Sequence, residues 1–261
     1  MLTSSQNPLV KQMRKLHRAK DRREQQLFLL EGTHLVEAAC LADRPLVTVC
    51  LTPDWQLRYP ELWQQIEQRA QRLEVVSPEV LRAIATTVEP DGIIATAERS
   101  STTAPTFHQL GLLLETIQDP GNLGTIIRTA AAAGADGLLL SADSVDLDHP
   151  KVLRASAGQW FRLPMATSPD LPAAIATYRQ QGFQIVATLP NADRNYWDVD
   201  FSQPTLLLLG NEGAGLSPDL TALADHTVQI PLVSGVESLN VAIAAALLLY
   251  EAKRQQALVN G

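Results

Sequence analysis

Residues 228–251 read Val228-Gln-Ile-Pro-Leu-Val-Ser-Gly-Val-Glu-Ser-Leu-Asn-Val-Ala-Ile-Ala-Ala-Ala-Leu-Leu-Leu-Tyr-Glu251. A short apolar run, Val228 to Pro231, ends in a loop of small and polar residues that leads directly into an apolar helix. Such a junction presents backbone N–H groups and side-chain hydroxyl and amide groups to a ligand. Leu206-Leu-Leu-Leu-Gly-Asn-Glu-Gly-Ala-Gly-Leu-Ser-Pro-Asp219 repeats the design with three glycines, and Leu112-Leu-Leu-Glu-Thr-Ile-Gln-Asp-Pro-Gly-Asn-Leu-Gly-Thr-Ile-Ile-Arg128 repeats it again. Three junctions of one kind predict one ligand site.

Apolar runs at Leu112–Glu115, Gly137–Ser141, Gln184–Ala187 and Thr205–Leu209 join Val228–Pro231 as expected strands, with helical stretches between them. Near-continuous apolar strands that alternate with helices imply a parallel sheet covered on both faces. Gly210, Gly213 and Gly215 let the main chain approach a ligand where a Cβ would obstruct it. Residues 98–106, polar and interrupted by Pro105, have the composition of a linker. The expected organisation is therefore a first domain over 1–100, a linker over 101–108 and a second domain over 109–261.

With 261 residues and 46% apolar content, the chain has the composition of a soluble globular protein. Its longest apolar run, Val241 to Tyr250, is about half of what a bilayer span requires. The N-terminus has no charged segment followed by an apolar one, so no signal peptide is expected and the cytoplasm is the default location. Two cysteines, Cys40 and Cys50, build neither a disulfide framework nor a zinc site and are expected to be buried thiols. No metal is expected. The net charge of −7 is unusual for a nucleic-acid binder, but it belongs to residues 101–261; residues 1–100 are neutral overall, and positions 11–23 carry +6. Asn7 can cap a helix there, Pro8 suits its first turn, and Leu9, Met13 and Leu16 share one face. Lys11, Arg14, Lys15, Arg18 and Arg22 are then expected to face away from the core, as an electrostatic footprint for RNA.

The three junctions resemble the signature motifs of the SpoU-type (TrmH-like) RNA ribose 2′-O-methyltransferases of the SPOUT superfamily. Asn122, Gly124 and Arg128 stand at the positions of the first motif, Gly210-Asn211-Glu212-Gly213 at the second, and Ile230-Pro231 with Ser238-Leu239-Asn240 at the third. The N-terminal part is similar to the substrate-binding domain ahead of many such catalytic domains, through Phe28–Ala39, Val75–Leu81 and Gly92–Ala95. That resemblance implies a small α/β fold like a ribosomal-protein RNA-binding module; Glu31 and Gly32 read as the turn from a strand at Phe28–Leu30 into a helix from about Thr33 to Leu41. For the second domain it implies a SPOUT fold, a parallel sheet between helices closed by a deep trefoil knot, an exception to the rule against threaded chains.

The resemblance also implies chemistry: methyl transfer from S-adenosylmethionine to a ribose 2′-hydroxyl, by a homodimer. The cofactor would be held around Thr188, Leu189, Gly210, Asn211, Gly213, Ile230, Leu232, Ser238 and Leu239. The catalytic set carried over is Arg128, Asn122, Glu212, Ser238 and Asn240, with Arg128 on a helix opened by Gly124 and reaching toward an RNA phosphate. A guanidinium hardly ever gives up its proton in a protein, so Arg128 is expected to clamp phosphate rather than act as base. A carboxylate beside phosphate repels it unless paired, so Glu212 is expected to tie Arg128 or a loop amide in place. Lys151 and Arg154 are further RNA contacts by resemblance, and His149 reads as a loop residue rather than a base.

Ribosomal RNA is favoured over transfer RNA because the N-terminal part resembles a domain common among ribosomal-RNA modifiers. The alternatives are a transfer-RNA 2′-O-methyltransferase and a non-catalytic ribosome-assembly protein that keeps the fold. The latter would be expected to lack Arg128, Asn240 or the glycines of the second motif, and all are present. A nicotinamide enzyme fits poorly, because Gly213-Ala-Gly215 lacks the third glycine of a dinucleotide fingerprint and falls late in the chain. The exact RNA and nucleotide, the proton acceptor, and whether Arg128 serves its own subunit or its neighbour stay open at this level.

Overall fold

A computed structural model describes residues 1–99 and 104–260. The first elements are α1 (Pro8–Lys15), α2 (Ala19–Gln25), β1 (Leu27–Glu31), α3 (Thr33–Leu41), β2 (Leu46–Leu51), α4 (Pro53–Arg58), α5 (Pro60–Arg69), β3 (Ala70–Val75), α6 (Pro78–Ile84) and β4 (Ile93–Glu98). Their four strands form a sheet in the order β1-β4-β2-β3, antiparallel except where β2 meets β3. Alternation of side chains along each strand buries both faces. Phe28, Leu30, Val49 and Leu51 pack with α3, α5 and Trp55 of α4, whereas Leu29, Cys50 and Ile94 pack with Val10 and Met13 of α1 and Val80, Leu81 and Ile84 of α6. Cys40 and Cys50 are buried free thiols as expected, and burial pushes Cys50 up to about 12.

The remaining elements are β5 (Leu110–Leu114), α7 (Pro120–Ala133), β6 (Gly137–Ser141), α8 (Pro150–Ala155), β7 (Met165–Ser168), α9 (Leu171–Gln180), β8 (Gln184–Thr188), β9 (Arg194–Asn195), β10 (Thr205–Leu209), α10 (Pro218–Thr221), β11 (His226–Gln229) and α11 (Val241–Asn260). Seven strands pair in the order β7-β6-β5-β10-β8-β11-β9, every neighbour parallel. Leu113, Leu139, Ala187, Leu206 and Leu208 face Ile175 and Tyr178 of α9 and Leu220 of α10. On α7, Ile126, Ile127 and Ala130 are fully buried, as are Ala245, Leu248 and Leu249 of α11, which packs along α7. The α/β class with a parallel sheet between helices is as the sequence indicates. Strands β2, β3, β7 and β9 are not among those expected: β3 continues from α5 with no turn residue between, and β7 and β9 have four and two residues.

Two compact units result, Met1–Ser101 with Asp146–Phe161, and Thr102–Val145 with Arg162–Gly261. The stretch Asp146–Phe161, expected in the second domain, thus belongs to the first. Leu153 is part of that unit's core, Trp160 packs on Phe28 at a centroid distance of 5.2 Å, and Asp146 and Asp148 pair with Arg22 at 2.8 and 3.0 Å. The expected linker over 101–108 lies partly outside the described residues. Its later part is not linker-like, since Phe107 is buried and stacks on Tyr178 at 4.5 Å.

The expected single basic helix divides into α1 and α2, and Arg22 does not face solvent. Its side chain is 1% exposed, and Nη1 donates to the carbonyls of Leu16 and His17 between the two helices while Nε and Nη2 meet Asp148 and Asp146. Arg23 also pairs with Asp146, and Arg99 with Asp148. Arg22 is therefore a structural cation, excluded from RNA contact by burial. Removing one partner of a buried ion network leaves uncompensated charge, so Arg22→Ala is expected to destabilise the protein by about 3–5 kcal/mol in urea unfolding. Lys15→Ala, at an exposed position, should stay within about 0.5 kcal/mol of wild type.

Candidate active site

The loops after β5, β10 and β11 meet at the carboxyl ends of the parallel strands, where open α/β sheets bind ligands. After β5, the Asp119 carboxylate caps α7 by accepting from the amides of Gly121 and Asn122 at 2.6 and 3.0 Å. The helix begins at Pro120, so Gly124 lies buried inside it rather than opening it. After β10, Asn211 folds the glycine loop on itself: its Oδ1 accepts from Gly213 and Ala214, and its main chain exchanges two hydrogen bonds with Gly215. A Cβ on Gly210 would overlap the backbone of Gly215 and Leu216, so the loop closes only over glycine. After β11, Asn240 Oδ1 caps α11 by accepting from Ala242 and Ile243 at 2.9 and 3.3 Å.

One hydrogen-bonded chain joins all three loops. Asn122 Nδ2 donates to Glu212 Oε1 at 3.1 Å, and Asn240 Nδ2 donates to Asn122 Oδ1 at 2.9 Å. Its polarity is fixed at both ends, because a carboxylate only accepts and helix amides only donate. Each asparagine keeps one further side-chain N–H for a ligand. Glu212 also accepts from the amides of Asp119 and Gln118, at 3.1 and 3.3 Å. Burial alone would raise its carboxyl, but the Asn122 amide together with the backbone amides of Glu212, Asp119 and Gln118 holds it below the ordinary value. Of the two partners expected for Glu212, the geometry gives loop amides rather than Arg128.

Beside this chain lies a cavity lined by Thr188, Leu189, Gly210, Asn211, Gly213, Ile230, Leu232, Ser238 and Leu239, the nine residues expected around the cofactor. Pro190, Leu209, Gly215, Val241 and Ala244 complete the wall with Glu212. The sequence marks Leu209 and Val241 only as core, because an apolar residue at a strand or helix end looks alike whether it faces a ligand or a neighbour. Thr188 Oγ1 is buried without a partner among the described residues. Arg128 is exposed on α7, makes no hydrogen bond or ion pair with a described residue, and does not line the cavity.

In the first unit, Lys11, Arg14, Lys15 and Arg18 border one groove with His17 and Ala83. Lys151 is exposed at the start of α8, and His149 caps that helix, its Nδ1 accepting from the Lys151 amide at 3.1 Å. Burial, with the charges of Arg22 and Arg154, lowers the His149 imidazole below its ordinary value. Arg154 differs from expectation: its Nη1 donates to Glu31 at 3.0 Å and Thr86 Oγ1 at 2.6 Å, which ties β1 to the loop after α6. Its charge is thereby spent inside the unit.

A parallel α/β sheet whose strand-end loops converge on one small-residue cavity defines a ligand-binding enzyme domain of the doubly covered class. Residues 109–250 match the model of the SpoU rRNA methylase family, and residues 7–95 match the MRM3-like substrate binding domain. A tRNA/rRNA methyltransferase of Synechocystis, itself uncharacterised, is 47% identical over 98% of this chain and 94% of its own length. The 23S rRNA (guanosine(2553)-2′-O)-methyltransferase RlmP of Bacillus subtilis is 35% identical over 95% and 97% of the two chains. The crystal structure of the SpoU methyltransferase AviRb from Streptomyces viridochromogenes, in complex with AdoMet, superposes with a TM-score of 0.87 at 31% identity, covering 97% of this chain and 99% of that one. The chain belongs to the SpoU rRNA methylase family.

Because the Glu212 carboxyl is lowered on folding, its contribution is present above 4.5 and is lost as pH falls through its folded value. The amide resonances of Gln118 and Asp119 should therefore titrate with a midpoint below 4.5, and that transition should vanish in Glu212→Gln.

Proposed function

We propose that this protein transfers a methyl group from S-adenosylmethionine to a ribose 2′-hydroxyl of RNA, with ribosomal RNA as the substrate and the cytoplasm as its place of action. The observation that carries this reading is the Glu212–Asn122–Asn240 chain, which locks three loops at the rim of one cavity. The residues present fit the cofactor. Leu209, Ile230, Leu232 and Leu239 offer apolar walls for a planar base, and the Gly210 loop permits the close backbone approach that Cβ atoms would prevent. The unpartnered Thr188 hydroxyl in the same wall suits a polar ligand. Among the described residues no cluster of acidic, His or Cys side chains is placed to hold a metal ion.

S-adenosylmethionine, when bound, supplies an electrophilic methyl carbon on its sulfonium. The protein's part is positioning. Asn122 and Asn240 each aim a remaining side-chain N–H at an oxygen of the incoming ribose or phosphate. Arg128, with five donors in a planar fork, grips the adjacent phosphate and stabilises charge as the hydroxyl proton leaves to solvent or to that phosphate. Lys11, Arg14, Lys15 and Arg18 supply the phosphate footprint on the first unit, where no acidic residue lines their groove. Ribosomal RNA is preferred over transfer RNA because the likeness to the 23S rRNA enzyme runs through both units.

Ile243, Leu247 and Tyr250 recur at helical spacing on α11 and are 51%, 37% and 50% exposed. That uncovered stripe supports a homodimer built on α11, and Val233 and Val236 in the preceding loop are exposed as well. Arg128, outside its own cavity on the neighbouring helix, would then serve the partner. The insertion of β10 between β5 and β8 supports the trefoil threading. Among the described residues no helix is long and apolar enough to cross a membrane.

Calorimetry of the purified protein with S-adenosylmethionine should show saturable uptake; its absence, with and without RNA, would overturn the assignment. Arg128→Lys should keep cofactor affinity but lose at least about tenfold in turnover, since a point charge lacks the bidentate fork. Alanine at Lys11, Arg14, Lys15 or Arg18 should weaken RNA binding uniformly across sequences, and each substitution should lower the salt-dependence slope by about 1.

A further inference from the structure

Thr116, between β5 and α7, holds an unusual backbone. Its φ is +54°, in the left-handed region that a β-branched residue rarely adopts. Such conformations persist where the surroundings over-determine them, and they gather at functional sites. Here three hydrogen bonds to Thr116 do so. Its amide donates to Ser141 Oγ at 2.7 Å, its Oγ1 donates to Asp143 Oδ2 at 2.7 Å, and its carbonyl accepts from Asn211 Nδ2 at 2.8 Å. The partners come from the ends of two strands, β6 and β10. Ile117 continues the bracing, its amide donating to Ser144 Oγ at 2.9 Å and its carbonyl accepting from Val145 at 2.8 Å. The hydroxyls of Ser141 and Thr116 hold the Asp143 carboxyl below its ordinary range, so it remains an acceptor.

The left-handed residue turns the chain just before Gln118 and Asp119, whose consecutive amides both point at Glu212. Asn122 follows in the first turn of α7 and donates to the same carboxylate. Thr116 itself does not line the cavity.

We propose that Thr116, anchored through its hydroxyl on Asp143, is a positioning residue for RNA methylation: it sets the loop that presents Asn122 to the ribose, and it acts through Asn122 rather than on the cofactor. This rests on the methyltransferase reading above and extends it to a residue that no motif marks. A structural role alone would have been met with less strain by glycine, which adopts positive φ freely. The hydroxyl is what glycine cannot supply.

The test uses Thr116→Ser, which keeps the hydroxyl, Thr116→Val, which keeps the shape, and Thr116→Gly, which relieves the backbone. Each is assayed for methyl transfer to an unmodified 23S ribosomal RNA transcript at saturating S-adenosylmethionine, with cofactor affinity by calorimetry and thermal midpoint alongside. Thr116→Ser should stay within about twofold of wild-type turnover, while Thr116→Val and Thr116→Gly should fall by at least about tenfold. Cofactor affinity should stay within about twofold in all three, and Thr116→Gly should melt no lower than wild type. In an Asn122→Ala background, Thr116→Val should cost no further turnover, because residues acting through one another are not additive. The proposal is overturned if Thr116→Gly keeps wild-type turnover, if cofactor affinity falls in step with turnover, or if the Asn122 and Thr116 effects simply multiply. A wild-type protein that binds no cofactor would instead overturn the methyltransferase reading, a result that leaves the Thr116 variants out of account.

Discussion

Unsatisfied amide groups at the ends of parallel strands are the constraint on which this structure depends. A sheet of seven parallel strands ends in loops whose polar backbone must find partners. Here the side chains of Glu212, Asn122 and Asn240 satisfy one another across three such loops, and Asn240 caps α11 in passing. Because a carboxylate closes one end and helix amides the other, neither asparagine can reverse its amide without breaking a bond. The loops that enclose the cavity are therefore fixed relative to one another before any ligand arrives, which is the preorganisation that methyl transfer to a weak oxygen nucleophile demands.

Much of this could be read from sequence because the junctions combine three independent signals: a run of leucines or isoleucines, a cluster of small and amide residues, and a helix that follows at once. Those signals marked the central strands, whereas the nine residues expected around the cofactor were carried over from the resemblance to the SpoU-type motifs, and all nine line the cavity. What they did not convey was long-range charge pairing. Arg22 looks like its neighbours Arg18 and Arg23, and only Asp146 and Asp148, more than a hundred residues away, bury it. The same holds for Arg154, whose partner Glu31 reads as the end of a strand. Thr116 escaped for a different reason: backbone strain leaves no trace in composition, and a Thr after a strand suggests nothing but a turn.

The charge distribution takes on meaning once the paired cations are set aside. Arg22, Arg23, Arg99 and Arg154 balance carboxylates within the first unit. The groove formed by Lys11, Arg14, Lys15 and Arg18 remains as a patch of one sign on a protein whose net charge is −7. Under the RNA-binding reading proposed above, such an arrangement would limit nonspecific adhesion to nucleic acid over the molecule at large while counterion release at this groove favours association.

The discontinuity of the first unit determines how the gene can be cut. Since Asp146–Phe161 completes that unit from within the sequence of the second, the chain passes between units three times rather than once. A catalytic fragment begun after residue 103 would carry sixteen residues with Val152 and Leu153 bared and two aspartates stripped of their cations, and the complementary N-terminal fragment would enclose an unpaired guanidinium. Because the first unit is completed from within the sequence of the second, a single cut in the chain releases neither unit whole.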